Sequence, residues 1–230
     1  RLVALETAVA VPLAAAARRD FGAAWFELVA ASCRRALAEA WDSGRLTAER
    51  GNFPFEIESA AVLDRARGRA AAEVSRAADR ASAAMTAFAA WSRPGAPHIE
   101  LARAFGLSPI ATMIVLFAAA PRVWPELARA YAILVNDPAR AFCDEHLLEL
   151  LLGDAVVPGQ VAVELDDAAP LIGGGGIGAG AGLRRFGGLA IPRALIQRLL
   201  GAAPAGDGGV VPRDASVPLE HVRAPLAALE

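Results

Sequence analysis

Cys143 and His146 place a thiol and an imidazole three positions apart, on one side of what reads as a helix start. A cysteine beside a histidine is the minimal nucleophile and base pair, and both side chains are also zinc ligands. The surrounding sequence completes neither chemistry. A closed zinc site needs four ligands and a catalytic one at least three, yet the other cysteine is Cys33, and His98 and His221 fall in unrelated segments. No orienting residue or oxyanion motif accompanies the pair. Asp144 and Glu145 between them suit a helix cap and its first turn.

The stretch Gly173-Gly174-Gly175-Gly176-Ile177-Gly178 matches G-x-G-x-x-G. Dinucleotide binding needs that pattern between a strand and a helix, so that the helix N-terminus meets the pyrophosphate. Here more glycines and two arginines follow up to Gly188, and no helix can begin promptly. The glycine run from 173 to 182 is expected to be a loose loop or wing tip. Asp166-Asp167, and Asp64 with Glu73 and Asp79, supply carboxylates, but nothing marks a general acid and base among them. Acids alternating with Arg65, Arg67, Arg69, Arg76 and Arg80 read as a solvated helix face.

All 23 cationic residues are arginine, and the chain has no lysine. That excludes Schiff-base chemistry, a P-loop lysine and a kinase lysine. G-x-S-x-G, H-E-x-x-H and EF-hand patterns are absent as well. No catalytic, cofactor-binding or metal-ligating residue is assigned, and the chain is not expected to be an enzyme.

The elements that would position any site are mostly helical. Phe26, Val29, Cys33, Leu37 and Ala40 recur at helical spacing between Trp25 and Ser43, with Arg34, Arg35 and Glu39 on the other face. Gly44 follows as a C-cap. A second helix is expected from Ser59 to Trp91, alanine-rich, free of proline and roughly 48 Å long at 1.5 Å per residue. Together these form a helical hairpin or arm over residues 1–92. Ser92-Arg93-Pro94-Gly95-Ala96-Pro97 marks a boundary. Shorter helices follow at 99–105, 109–120, 125–135 and 144–152, with Pro121 and Asn136-Asp137-Pro138 ending the second and third.

From Gly159 the pattern changes. Val161, Val163 and Leu165 alternate with Ala162 and Glu164 like a half-buried strand, and Arg184 to Ile191 reads as another. Pro192 opens a helix ending at Leu200-Gly201. Helices, a small β-hairpin and a closing helix over 93–201 fit a winged-helix-like domain, with 202–230 a linker or loose tail. The fold class is therefore mainly α: a long alanine-rich hairpin, then a winged-helix-like unit.

Composition sets the outer limits. Hydrophobic residues make up 55% and charged residues 21%, enough to bury a sizeable core. The longest apolar run, Ile110 to Ala120, is about half of the ~20 residues a membrane-spanning helix needs. No membrane association and no leader peptide are expected; Glu6 sits where a leader would be positive. Two widely separated cysteines suggest reduced thiols and a cytoplasmic protein. Net charge is −2, and Arg93 to Leu200 holds nine arginines against ten acids, so nucleic acid is not the expected partner. Arg184 and Arg185 keep open the alternative of a winged-helix DNA-binding regulator with a helical dimerisation arm.

Phe105-Gly106-Leu107-Ser108-Pro109, with the apolar helix to Ala118-Ala119-Ala120-Pro121, resembles the region preceding the ATPase modules in bacterial AAA+ ATPases that carry a variant winged-helix domain. Ala130-Tyr131-Ala132-Ile133-Leu134-Val135-Asn136-Asp137 is similar to that family's tyrosine-containing helix. The stretch from Leu189 to Gly201 is similar to its closing strand and helix. The resemblance covers roughly 98–201; Val123-Trp124-Pro125 and the long glycine run depart from it. It implies a non-catalytic N-terminal domain that recruits a protein substrate or adaptor, or regulates, for ATPase modules lying beyond Glu230. ATP and Mg are implied only for those modules, and no Walker residue here can be carried over. Self-association is implied too, with a hexamer expected of the full-length protein.

Overall fold

A computed structural model describes residues 15–43, 45–46, 70–137, 142–174, 177–179 and 187–201. Its elements in chain order are α1 (Ala15–Asp42), α2 (Ala70–Ala89), α3 (Pro97–Phe105), α4 (Pro109–Val123), α5 (Pro125–Leu134) and α6 (Glu145–Leu152). After a 3₁₀ turn at Gly153–Ala155 come α7 (Gln160–Glu164), α8 (Pro170–Gly173), β1 (Gly178–Ala179), β2 (Leu189–Ala190) and α9 (Arg193–Leu199). The fold is mainly helical with one small hairpin, as the sequence implies. Ser59–Arg69, the 202–230 tail, the Gly44 cap, Arg184, Arg185 and half of the 173–182 glycine run lie outside the described residues.

Helix α1 begins ten residues before Trp25, and it is the spine of the molecule. Phe21 near its start meets Phe88 near the end of α2 at 5.9 Å between ring centres, so the two helices run antiparallel. Much of its other surface is buried too: Trp25, Leu28 to Cys33 and Ala36 to Ala38 are all closed off from solvent, while Ala23 and Glu27 are exposed. Helices α4, α5 and α6 cover that side. Each large apolar side chain so enclosed contributes about 1.5–3 kcal/mol relative to exposure. Helix α2, by contrast, buries only Ala77 and Phe88 among its described residues.

The expected boundary at residue 93 is therefore a turn and not a break in packing. Ala96, Leu101 and Phe105 beyond it share one core with Phe21, Trp25 and Phe88 before it.

Two local expectations are overturned. Residues 161–164 are helical and Leu165 caps the helix, so the stretch is not a strand. On a helix, Val161, Glu164 and Leu165 share one face; Val161 is buried while Val163 is 70% exposed. A strand would have needed Val161 and Val163 on the same covered side.

Pro121 does not end its helix; α4 continues to Val123. Proline has no N–H, so the carbonyl four residues back loses its partner. That carbonyl belongs to Phe117, and the Tyr131 hydroxyl donates to it at 2.8 Å. The rescue comes from α5, beyond the reach of any local rule.

The caps fall where the residue types put them. Gly106 closes α3 in the left-handed conformation (φ 62°), and Leu107 N–H returns to the Ala102 carbonyl. Ser108 Oγ accepts from Ala111 N–H to open α4, with Pro109 at the first helical position. Asp144 accepts from Leu147 N–H to open α6. Trp124, in the bend between α4 and α5, sets its ring edge against Trp25 at 4.7 Å and Phe26 at 5.5 Å. That contact accounts for Trp124 in the stretch where the chain departs from the family it resembles.

Candidate functional site

Winged-helix modules act through a helix-turn-helix and the hairpin beside it. Here α3 and α4 are joined by the three-residue turn Gly106-Leu107-Ser108. Helix α4 is enclosed: Ala111, Thr112 and every residue from Ile114 to Ala120 are buried. Trp25 Nε1 donates to the Leu116 carbonyl at 3.1 Å, next to the Phe117 carbonyl held by Tyr131. Met113 and the ends of α4 reach solvent in part, and Arg122 is its one cation.

The hairpin is antiparallel, pairing Gly178 with Ala190 and Ala179 with Leu189. Leu189 N–H also donates to the Cys143 carbonyl at 2.8 Å, which stitches the hairpin to the start of α6. Glu164 at the end of α7 accepts from Ser108 Oγ at 2.6 Å, tying the hairpin side to the turn before α4. The exposed features on this side are Val157, Val163 and Ala162, with Asp154, Asp166 and Asp167 nearby in sequence. Between Phe142 and Leu183 the chain carries seven carboxylates and no arginine or lysine. A phosphate backbone would be repelled there, whereas a cationic protein segment would not.

Two arginines of α1 hold the ends of other helices. Arg35 donates to the Leu150 and Leu151 carbonyls at 2.8 and 3.0 Å and pairs with Glu39 at 2.7 Å. A Cβ at Gly153 (φ +51°) would stand 2.5 Å from that guanidinium, so glycine is what lets Arg35 in. Arg18 donates likewise to the Gly201 carbonyl past α9 at 3.0 Å. Cations at helix C-termini complement the carbonyl end of the helix dipole.

Of the sequence's candidate pair, the thiol is held protonated. Cys143 is buried, and its thiol is pushed well above its ordinary range by burial first, then by Asp144 and Cys33. Cys33 is pushed up to about 12, also by burial, with Arg34 and Arg35 opposing. Thiols held protonated are poor nucleophiles at neutral pH. Asp144, between Cys143 and His146, serves as the α6 cap.

Gly173 and Gly174 close α8 and Gly178 lies in β1, so among the described residues the glycine run presents no helix N-terminus to a pyrophosphate. Among the described residues no three His, Cys, Asp or Glu side chains come together as a metal site. Nor is any single described helix long and apolar enough to cross a membrane. Helices α4 and α5 pass such a test only as a pair bent by 113°.

No curated protein and no solved structure matches this chain. A family model described as "Winged helix domain, variant" matches residues 18–172. The match takes in α1 and α2, which the sequence resemblance left outside, and stops within α8 before the hairpin. Covering about two-thirds of the 230 residues, it places the chain in that family: this protein belongs to the variant winged helix domains.

Proposed function

We propose that this winged helix domain docks a protein partner and performs no chemistry itself. In this proposal it is the N-terminal recruiting or regulatory domain of a bacterial AAA+ ATPase, working in the cytoplasm. The carrying observation is charge: Arg93 to Leu200 holds nine arginines against ten acids, and none of those arginines lies between Phe142 and Leu183. Helix α4, filled with Ala, Ile, Val, Leu and Phe and packed against α1 and α5, belongs to the core and adds no docking face.

The link to an ATPase rests on the Phe105–Pro109 block and the Leu189–Gly201 closing segment. The residues present do not fit ATP, since the chain has no lysine and its glycine run meets no helix start among the described residues. Nucleotide hydrolysis and Mg binding are assigned to modules outside these residues. Such a domain would hold a client near the ring while those modules hydrolyse ATP, and a hexamer is the expected assembly of the whole.

The alternative is a DNA-binding regulator using Arg184 and Arg185 in the minor groove, with α2 as a dimerisation arm. Reading the gene past the codon for Glu230 tests the ATPase link. A downstream G-x-x-x-x-G-K-[ST] block is the expected result. A stop codon near Glu230 overturns it.

A further inference from the structure

His98, the second residue of α3, is 3% exposed. Its ring stacks on Phe21 of α1 at 5.5 Å and 12°, and meets Phe88 of α2 at 5.0 Å. Neither Nδ1 nor Nε2 has a hydrogen-bond partner. A neutral imidazole is tolerated in such an aromatic enclosure at some cost. An imidazolium is not, because its charge and two N–H groups would be buried with nothing to receive them.

The charged groups on the surrounding elements are engaged elsewhere or exposed. On α1, Arg18 is bound to the Gly201 carbonyl and Asp20 is exposed. The α2 sequence carries no charge from Ala81 to Ser92, and Arg93 after it lies over the Trp91 ring. On α3, Glu100 accepts from Gly95 N–H and pairs with Arg103. Arg193 and Arg198 lie on α9, which packs on α3.

The way out for a charged ring is past α2. That helix packs on α1 and buries only Ala77 and Phe88 among its described residues, whereas the rest of α1 is locked under α4, α5 and α6. We propose that His98 is an acid-sensitive latch on α2: when neutral it lets Phe88 seat the helix on α1, and when protonated it releases α2 while the α1–α4–α5–α6 core stays folded. Burial lowers the imidazole from 6.5 to about 4, so the seated form resists the proton that the released form takes up.

The test is amide hydrogen exchange on the full chain from pH 7.5 to 4.5, expressed as protection factors for α2 and α4 separately. A parallel NMR titration follows the His98 ring. Protection in α2 is expected to fall about tenfold per pH unit between about pH 6 and 4.5, with α4 unchanged. In His98→Phe the α2 protection is expected to be flat across the range. The latch is overturned if α2 and α4 lose protection together, if His98→Phe keeps the pH dependence, or if His98 titrates near 6.5. Should His98→Phe not fold, the α2-against-α4 comparison and the His98 titration of the unaltered protein decide the matter.

Discussion

The Tyr131 hydroxyl donates to the Phe117 carbonyl oxygen at 2.8 Å, and Phe117 is the residue four before Pro121. The chain's single tyrosine thereby replaces the N–H that proline lacks, and α4 runs through its own breaker. Both groups are buried, so neither has water to turn to.

Tyr131→Phe leaves that carbonyl unsatisfied and is expected to cost about 1–3 kcal/mol in urea unfolding. Pro121→Ala restores a backbone N–H to the same oxygen. In that background Tyr131→Phe should cost about 1 kcal/mol less, a coupling that a double-mutant cycle measures directly. Equal costs in both backgrounds would mean that the hydroxyl is not replacing the missing donor.

Arg35 and Gly153 form a second dependent pair. Arg35→Ala removes two hydrogen bonds to the end of α6 and is expected to cost about 1–2 kcal/mol. Gly153→Ala pushes a methyl group into the guanidinium and strains a positive φ, so it should cost at least as much. Gly159→Ala shares the positive φ (+80°) but meets nothing within 4 Å, and only the backbone penalty of about 1 kcal/mol is expected there. Thermal unfolding of the three variants, and of Arg35→Ala combined with Gly153→Ala, gives the comparison. The double variant should cost less than the sum of its parts.

The buried thiols make the fold sensitive to alkali. Both cysteines are held protonated in the folded chain, Cys33 to about 12, while an unfolded cysteine ionises near 9. A folded value above the unfolded one gives stability that is complete below pH 9 and lost as pH rises toward 12. Urea midpoints should therefore fall between pH 8.5 and 10.5. Replacing both cysteines with alanine should flatten that fall until Tyr131, also raised by burial, begins to contribute. In the native protein at pH 7.5, a thiol reagent should react slowly with both and rapidly after unfolding.

Local signals were readable in the sequence where the physics is local. Ser108 with Pro109, Asp144 before Glu145 and Pro125 after Trp124 each mark a helix start through groups one to three residues away. What was not readable depends on distant partners. Pro121 is a legitimate stop signal until Tyr131, ten residues on, takes the orphaned carbonyl. Arg35 and Glu39 look like a solvated face because nothing nearby in sequence reveals the end of α6. Alanines at 30, 31, 36, 38 and 40 suit a buried or an exposed helix equally, which is why α1 reads as an arm and folds as a spine. Residues 161–165 alternate in a way that fits a strand as well as a short helix, and only the burial of Val161 with the Ser108–Glu164 bond separates them. His98 stands alone in the sequence, since the aromatic rings around it arrive from Phe21 and Phe88.

The proposal of protein docking over DNA reading turns on the absence of a cationic excess between Arg93 and Leu200. Fluorescence anisotropy of a labelled duplex of about 20 base pairs, titrated with the full chain at ~50 mM salt, tests it most directly. No saturable binding is expected below about 100 µM, the weak end of ordinary non-specific affinity. Saturation at lower concentration, weakening steeply with salt and abolished by Arg184→Glu with Arg185→Glu, would contradict the claim and establish the DNA-binding alternative.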